Sequence, residues 1–115
     1  MNKRLVVMIQ CAPLGNTRFS EGLRLAMGLV ACTDELAVSV ILKGDGVYGA
    51  LAKTERGEVS RYLATMAEWD VEPLVEAESL AERGLGRVDL ASGFKAVSRS
   101  RVLELLTAAR FVINF

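Results

Sequence analysis

The chain alternates between two hydrophobic periods from end to end. Positions 5–9, Leu-Val-Val-Met-Ile, are continuously apolar and rich in β-branched residues, as a strand buried on both faces requires. A second run of this kind occupies 36–42. Between them, over 18–32, Phe19, Leu23, Met27 and Val30 recur at helical spacing and form one stripe. Leu25 and Leu29 widen that stripe, which predicts a helix covered on more than one side. Asn16 or Thr17 is placed to cap this helix, and Thr33-Asp34-Glu35 to end it.

The second half repeats the alternation. Gly44-Asp45-Gly46 predicts a tight turn, a short helix follows over 47–52, and 53–58 is a polar connection. Val59, Tyr62, Leu63, Met66 and Trp69 mark an amphipathic helix. The third strand, 71–75, contains Pro73, which donates no ladder hydrogen bond. That strand therefore lies at an edge, starts late or carries a bulge. A short helix over 76–83 stops at Gly84. After a loop over 86–93 comes a short strand over 94–97. Ser98 then caps a helix over 99–109 with Val102, Leu105, Leu106 and Ala109 on one face, and a last strand covers 110–115.

Strands alternating with helices are the mark of right-handed βαβ units. The prediction is a single α/β domain over 1–115, with a mostly parallel sheet of about five strands and helices on both faces. With 115 residues the chain fits one domain. Its 51% hydrophobic content is high for that size and predicts that part of the surface is buried against other subunits.

Charge and cysteine usage narrow the chemistry. Fourteen acidic and fourteen basic residues balance, with no basic run, so no nucleic-acid surface is expected. No apolar run is long enough to cross a bilayer. Lys3-Arg4 before an apolar run mimics a signal peptide, but 5–9 is too short for one. The expectation is a cytoplasmic, reducing compartment. There is no histidine, which excludes Ser-His-Asp and Cys-His catalysis and imidazole metal sites within one chain. Cys11 and Cys32 cannot build a zinc-thiolate cage alone, and no metal or cofactor is expected. They flank a helix spanning roughly 20 Å, too far for a disulfide.

In an open parallel sheet, ligands meet the loops beyond the carboxyl ends of the strands. The first such loop carries Cys11 and Asn16, the second Lys43 and Asp45, and the third begins at Glu76. Cys11 is the candidate nucleophile. The helix N-terminus that follows and Arg18 would favour its thiolate, whereas the plain alternative is a small packed residue. Cys32 is expected to pack. The Gly44-Asp45-Gly46 turn lacks G-x-G-x-x-G spacing and reads as a strand-to-helix turn with Asp45 as a local cap. With the Cys11 loop, it could also form a small-ligand or nucleotide site. Glu76 and Glu78 are two apart, so on a helix they face different sides. Glu76 is then either a solvated or subunit-facing glutamate, or a carboxyl with a raised pKa in a dry crevice.

Several ordered segments resemble the DsrE/DsrF-like sulfur-relay family. Ala12-Pro13-x-Gly15 with Glu21-Gly22-Leu23 is similar to its first crossover, especially in the TusC/DsrF branch. Asp34-Glu35-Leu36-Ala37-Val38 and Gly44-Asp45-Gly46-Val47-Tyr48 resemble its second strand and turn. Tyr62-Leu63-Ala64-Thr65, Ser79-Leu80, Glu82-Arg83-Gly84-Leu85 and Val112-Ile113-x-Phe115 complete the set over nearly the whole length. The resemblance implies a small α/β domain that forms homo- or hetero-oligomers with DsrE/DsrF-like subunits. It also implies a cytoplasmic role in persulfide relay, for thiolation of tRNA wobble uridine or for sulfur oxidation, with a sulfur-carrier protein as a possible partner. Glu76 stands where the family's sulfur-carrying cysteine stands, which implies an accessory subunit without catalysis of its own. A Cys11-dependent sulfur carrier or redox protein is the alternative that the residues keep open, beside the small-ligand or nucleotide binder.

Overall fold

The computed structural model describes residues 3–15, 17–32, 35–52 and 59–115. It contains five strands: β1 (Lys3–Ile9), β2 (Leu36–Leu42), β3 (Pro73–Glu76), β4 (Lys95–Val97) and β5 (Phe111–Asn114). All neighbours are parallel, in the order β4-β3-β2-β1-β5. The helices are α1 (Arg18–Cys32), α2 (Val59–Glu68), α3 (Ala77–Glu82) and α4 (Arg99–Ala108), with a 3₁₀ segment over Gly44–Ala50 after β2. The fold class and the strand count are those the periodicity predicts.

The alternation of side chains along β1 explains the layering. Leu5, Val7 and Ile9 face the larger core layer with Phe19, Leu23, Val40, Leu42, Met66, Val75 and Leu80. Val6 and Met8 face the other side, where Ile41 meets Val102 and Leu105 of α4. Both faces of β1 and β2 are therefore covered, which is why those strands read as unbroken apolar runs. The chain steps outward from β1 to β4 and then returns past β1 to β5. That reversal carries α4 to the opposite face.

The end signals act largely as their chemistry dictates. The Thr17 carbonyl accepts from the Glu21 amide, which puts Thr17 at the start of α1. Asn16 lies outside the described residues. Ser98 accepts from the Arg101 amide at the start of α4. Gly84 sits at φ +69, and Gly84 and Leu85 donate to Ala81 and Leu80, so α3 ends in a Schellman turn. Pro73 is the first residue of β3, inside the sheet between β2 and β4. Of the three options a proline leaves, the late start is realised.

Three expectations are corrected. Cys32 is exposed rather than packed, because the buried face of α1 is Phe19, Gly22, Leu23 and Ala26, and Cys32 is not part of it. Trp69 lies beyond the end of α2 and is exposed. Asp45 caps nothing: Lys43 is the cap of the 3₁₀ segment without a side-chain bond, and Asp45 reaches Arg83 instead. No helix among the described residues is long and apolar enough to cross a membrane.

The turn after β2 depends on close backbone approach. A Cβ on Gly46 would lie 2.2 Å from the Ile9 carbonyl oxygen, and one on Gly49 would meet the Phe19 ring at the same distance. Gly28, on the outer face of α1, has nothing within 4 Å. Gly46→Ala is therefore expected to destabilise the fold by about 3 kcal/mol or more, since the obstacle is backbone that cannot yield. Gly28→Ala should instead stabilise it by about 0.5–1 kcal/mol through helix propensity. Urea denaturation of both variants tests the contrast in sign.

Candidate functional site

The carboxyl ends of β2, β3 and β4 converge on Glu76, the last residue of β3 and the residue before α3. Its side chain has 0% of its surface exposed. A carboxylate in that position must be compensated, because desolvation of an unpaired ion costs several kcal/mol. The compensation comes from three elements. Ser79, one turn along α3, donates its hydroxyl to Oε1 at 2.6 Å. Arg99, at the start of α4, donates Nη2 at 2.8 Å and Nε at 3.1 Å to the same oxygen. Lys43, at the end of β2, places Nζ 3.9 Å from Oε2, near enough for charge attraction but too far for a hydrogen bond. Oε2 itself is buried with no hydrogen-bond partner.

The network extends outward from Oε1 through Ser79 and Arg99. The Gly44 amide donates to the Ser79 hydroxyl at 3.0 Å, so the turn after β2 is fastened to α3. Arg83 donates Nη1 to the Ser79 carbonyl and pairs through Nε with Asp45 at 3.0 Å. Arg99 also pairs with Glu82, and its backbone amide donates to Glu78 at 2.8 Å. Glu76, just before α3, and Glu78, within it, both accept from Arg99, the first from its guanidinium and the second from its backbone amide. One arginine thus ties the N-terminus of α4 to α3 and to β3.

Burial is the largest influence on the Glu76 carboxyl and opposes its ionisation. The hydrogen bonds from Arg99 and Ser79, with the charges of Lys43 and Arg99, together outweigh it and hold the pKa below the ordinary glutamate value. Glu76 is therefore neither a solvated glutamate nor a carboxyl with a raised pKa. It is a buried ion with its own counter-ions, poorly suited to hold a proton near neutrality.

Of the two readings of Cys11, the structure is nearer to the packed residue than to the activated thiolate. The residue is half-buried in the loop after β1, and desolvation raises its thiol pKa. The hydrogen bond at its own backbone and the charge of Arg18 lower it less, and Glu21 adds to the rise. The hydrogen bonds and ion pairs around Glu76 reach Cys11 at no point among the described residues. The structure thus brings Lys43, Asp45 and Glu76 into one network and leaves Cys11 beside it. Ser79, Arg83 and Arg99 are the members that sequence reasoning missed. Ser79 and Arg83 fall within the segments that resemble the family, and the acidic density of Glu76, Glu78 and Glu82 demands cations nearby.

Two measurements check this electrostatics. A carboxyl with a depressed folded pKa contributes stability that is complete above its unfolded value, about 4.3, and is lost as pH falls through the lower folded value. Glu76→Gln should cost about 3 kcal/mol at pH 7. The gap between wild type and variant should narrow in urea denaturation series below about pH 4. For the thiols, iodoacetamide at pH 7.5 should alkylate Cys32 on the order of ten times faster than Cys11, since the exposed thiol is reachable and burial disfavours the Cys11 thiolate. Peptide mass spectrometry over a time course reads both rates.

With the fold and the network in place, comparison with known proteins is direct. The profile of the DsrE/DsrF-like family matches residues 3–115. A curated relative, the "Protein TusC homolog" of Vibrio parahaemolyticus serotype O3:K6, is 33% identical over 97% of this chain and 98% of its own. Among solved structures, the ychN protein of E. coli superposes with a TM-score of 0.86 at 22% identity, over the full length of both chains. A protein of unknown function from Methanobacterium thermoautotrophicum gives 0.77 at 19% identity, over 99% of this chain and all of that one. At those identities the two structures speak for the fold alone, whereas the matched profile and the curated relative span essentially the whole sequence. The chain belongs to the DsrE/DsrF-like family.

Proposed function

We propose that this protein is an accessory subunit of an intracellular persulfide relay, one that keeps the family's scaffold without its sulfur-carrying thiol. Membership of the family and the similarity to a TusC homolog support a place in sulfur relay. The observation that carries the accessory role is Glu76. The resemblance implies that it stands in place of the sulfur-carrying cysteine, and a carboxylate accepts hydrogen bonds but forms no S–S bond. Its burial and its bonds to Arg99 and Ser79 make it an integral strut. Cys11 is a weak substitute, since its thiol pKa is raised and it lies apart from that network.

On this reading the chain acts by holding cysteine-bearing DsrE/DsrF-like subunits, and through them a sulfur-carrier protein, in a cytoplasmic hetero-oligomer. The test is sulfur loading. Protein purified alone and as a native assembly is charged with labelled sulfur and treated with cyanide. Label should be released as thiocyanate from the assembly and not from this chain alone, and a cysteine-bearing relative should co-purify. Stoichiometric label on the isolated chain that disappears in Cys11→Ser would overturn the proposal in favour of a Cys11-dependent carrier.

A further inference from the structure

The two edges of the sheet are finished differently. β4 is three residues long, carries Lys95 and is largely exposed, the form of an edge that resists pairing. β5, at the other edge, holds no charged residue and no proline over Phe111–Asn114, and it pairs with β1 in unbroken register. Arg110, just before it, lays its guanidinium over the Phe111 ring, 6.0 Å from the centroid. Phe111 and Val112 are still 49% and 40% exposed.

The outer backbone groups of β5 specify what covers it. The Phe115 amide donates to the Met8 carbonyl, and the Phe115 carbonyl accepts from the Gln10 amide. By alternation, Phe111 and Ile113 also turn their N–H and C=O groups to β1, whereas Val112 and Asn114 turn theirs outward. Among the described residues no turn or loop of the chain bonds to those outward groups. Water aside, only another extended segment satisfies such a row. The layer beside the edge is apolar as well. A Cβ on Gly22 of α1 would lie 3.2 Å from the Phe115 ring, so that flank of α1 looks toward β5. Leu25 and Leu29 follow Gly22 at helical spacing on the same flank and are only half-buried. Leu25 belongs to neither core layer.

We propose that β5 is a dimerisation edge, pairing antiparallel with β5 of a second copy so that the two sheets become one. The outward groups are symmetric about Ile113. A two-fold axis there lets Val112 and Asn114 exchange backbone hydrogen bonds with Asn114 and Val112 of the second copy. Ile113 then meets its own copy on the α1 side, and Phe111 meets the second copy's Phe115 near Leu25 and Leu29. The two Arg110 residues fall roughly 20 Å apart, six residues at about 3.4 Å each, so their charges do not oppose the pairing. A strand edge with one helix flank is smaller than the roughly 20–30 residues a side of a standard interface, so a Kd on the order of 10–100 μM is expected. The dimer is independent of the sulfur-relay reading.

The test is sedimentation velocity of the full chain from about 2 to about 500 μM, with amide hydrogen exchange at both ends of that range. The chain should pass from monomer to dimer, and the Val112 and Asn114 amides should exchange at least about ten-fold more slowly in the dimer. Val112→Lys places a guard on the edge, and Val112→Pro removes only the outward amide. Each should weaken association at least about ten-fold with unchanged circular dichroism, and either one suffices if the other fails to fold. Lys95→Val, at the opposite edge, should leave association unchanged. In a mixture of labelled and unlabelled chains, an intermolecular NOE between the α-protons of Ile113 should report the antiparallel register. A monomer at the highest concentration, association that survives the folded Val112 variants, or a dimer without added protection at Val112 and Asn114 would overturn the proposal. Protection of those amides only in a complex with a co-purified cysteine-bearing relative would overturn the second copy as the occupant.

Discussion

A glutamate with no solvent-exposed surface sets a requirement that most of the carboxyl rim exists to meet. Ionised, Glu76 needs donors and positive charge within a few ångströms, and no single element can supply them. The serine of α3 supplies one, the arginine that opens α4 supplies two, and the lysine that ends β2 supplies charge without a hydrogen bond. The same groups then fasten parts of the chain that are distant in sequence. The turn after β2 is held to α3 through Ser79, and α4 is held to α3 through Glu78 and Glu82. The partners of one ion thus also tie the turn after β2, α3 and α4 together.

That arrangement bears on what the rim can do. A buried carboxylate already saturated at Oε1 by Ser79 and Arg99 is not a proton carrier, and its low pKa follows from those bonds against the pull of burial. On the proposed reading, such a strut stands where the resemblance implies a reactive thiol, and a carboxylate there offers rigidity rather than a sulfur nucleophile. Cys11, the other candidate, sits where desolvation outweighs the favourable charge of Arg18. Both facts favour a role expressed through partners.

The two ends of β3 show opposite treatments of acidic residues. At the carboxyl end Lys43, Ser79 and Arg99 contribute charge or hydrogen bonds to Glu76. At the amino end Asp70 and Glu72 are exposed, and Asp70 occupies a turn position better suited to glycine. In the first case the negative charge is part of the structure. In the second it is turned outward, at a local energetic cost that packing elsewhere must offset.

The sequence by itself determined the architecture. Unbroken apolar runs at 5–9 and 36–42, helical stripes between them, Ser98 and Gly84 at helix ends and Pro73 at a strand start are local signals. They act through backbone sterics and hydrogen bonding within a few residues, and the structure keeps them. The ordered motifs likewise sufficed to point to the family. Only the tertiary structure decided what Glu76 is. Its partners Lys43 and Arg99 lie 33 and 23 residues away, and burial is a property of the assembled sheet, so no local pattern could tell a buried ion pair from a solvated glutamate. The same holds for Cys11, where only burial decides between a packed residue and a thiolate, and for Cys32, which its place on an apolar helix suggested was packed although it is exposed.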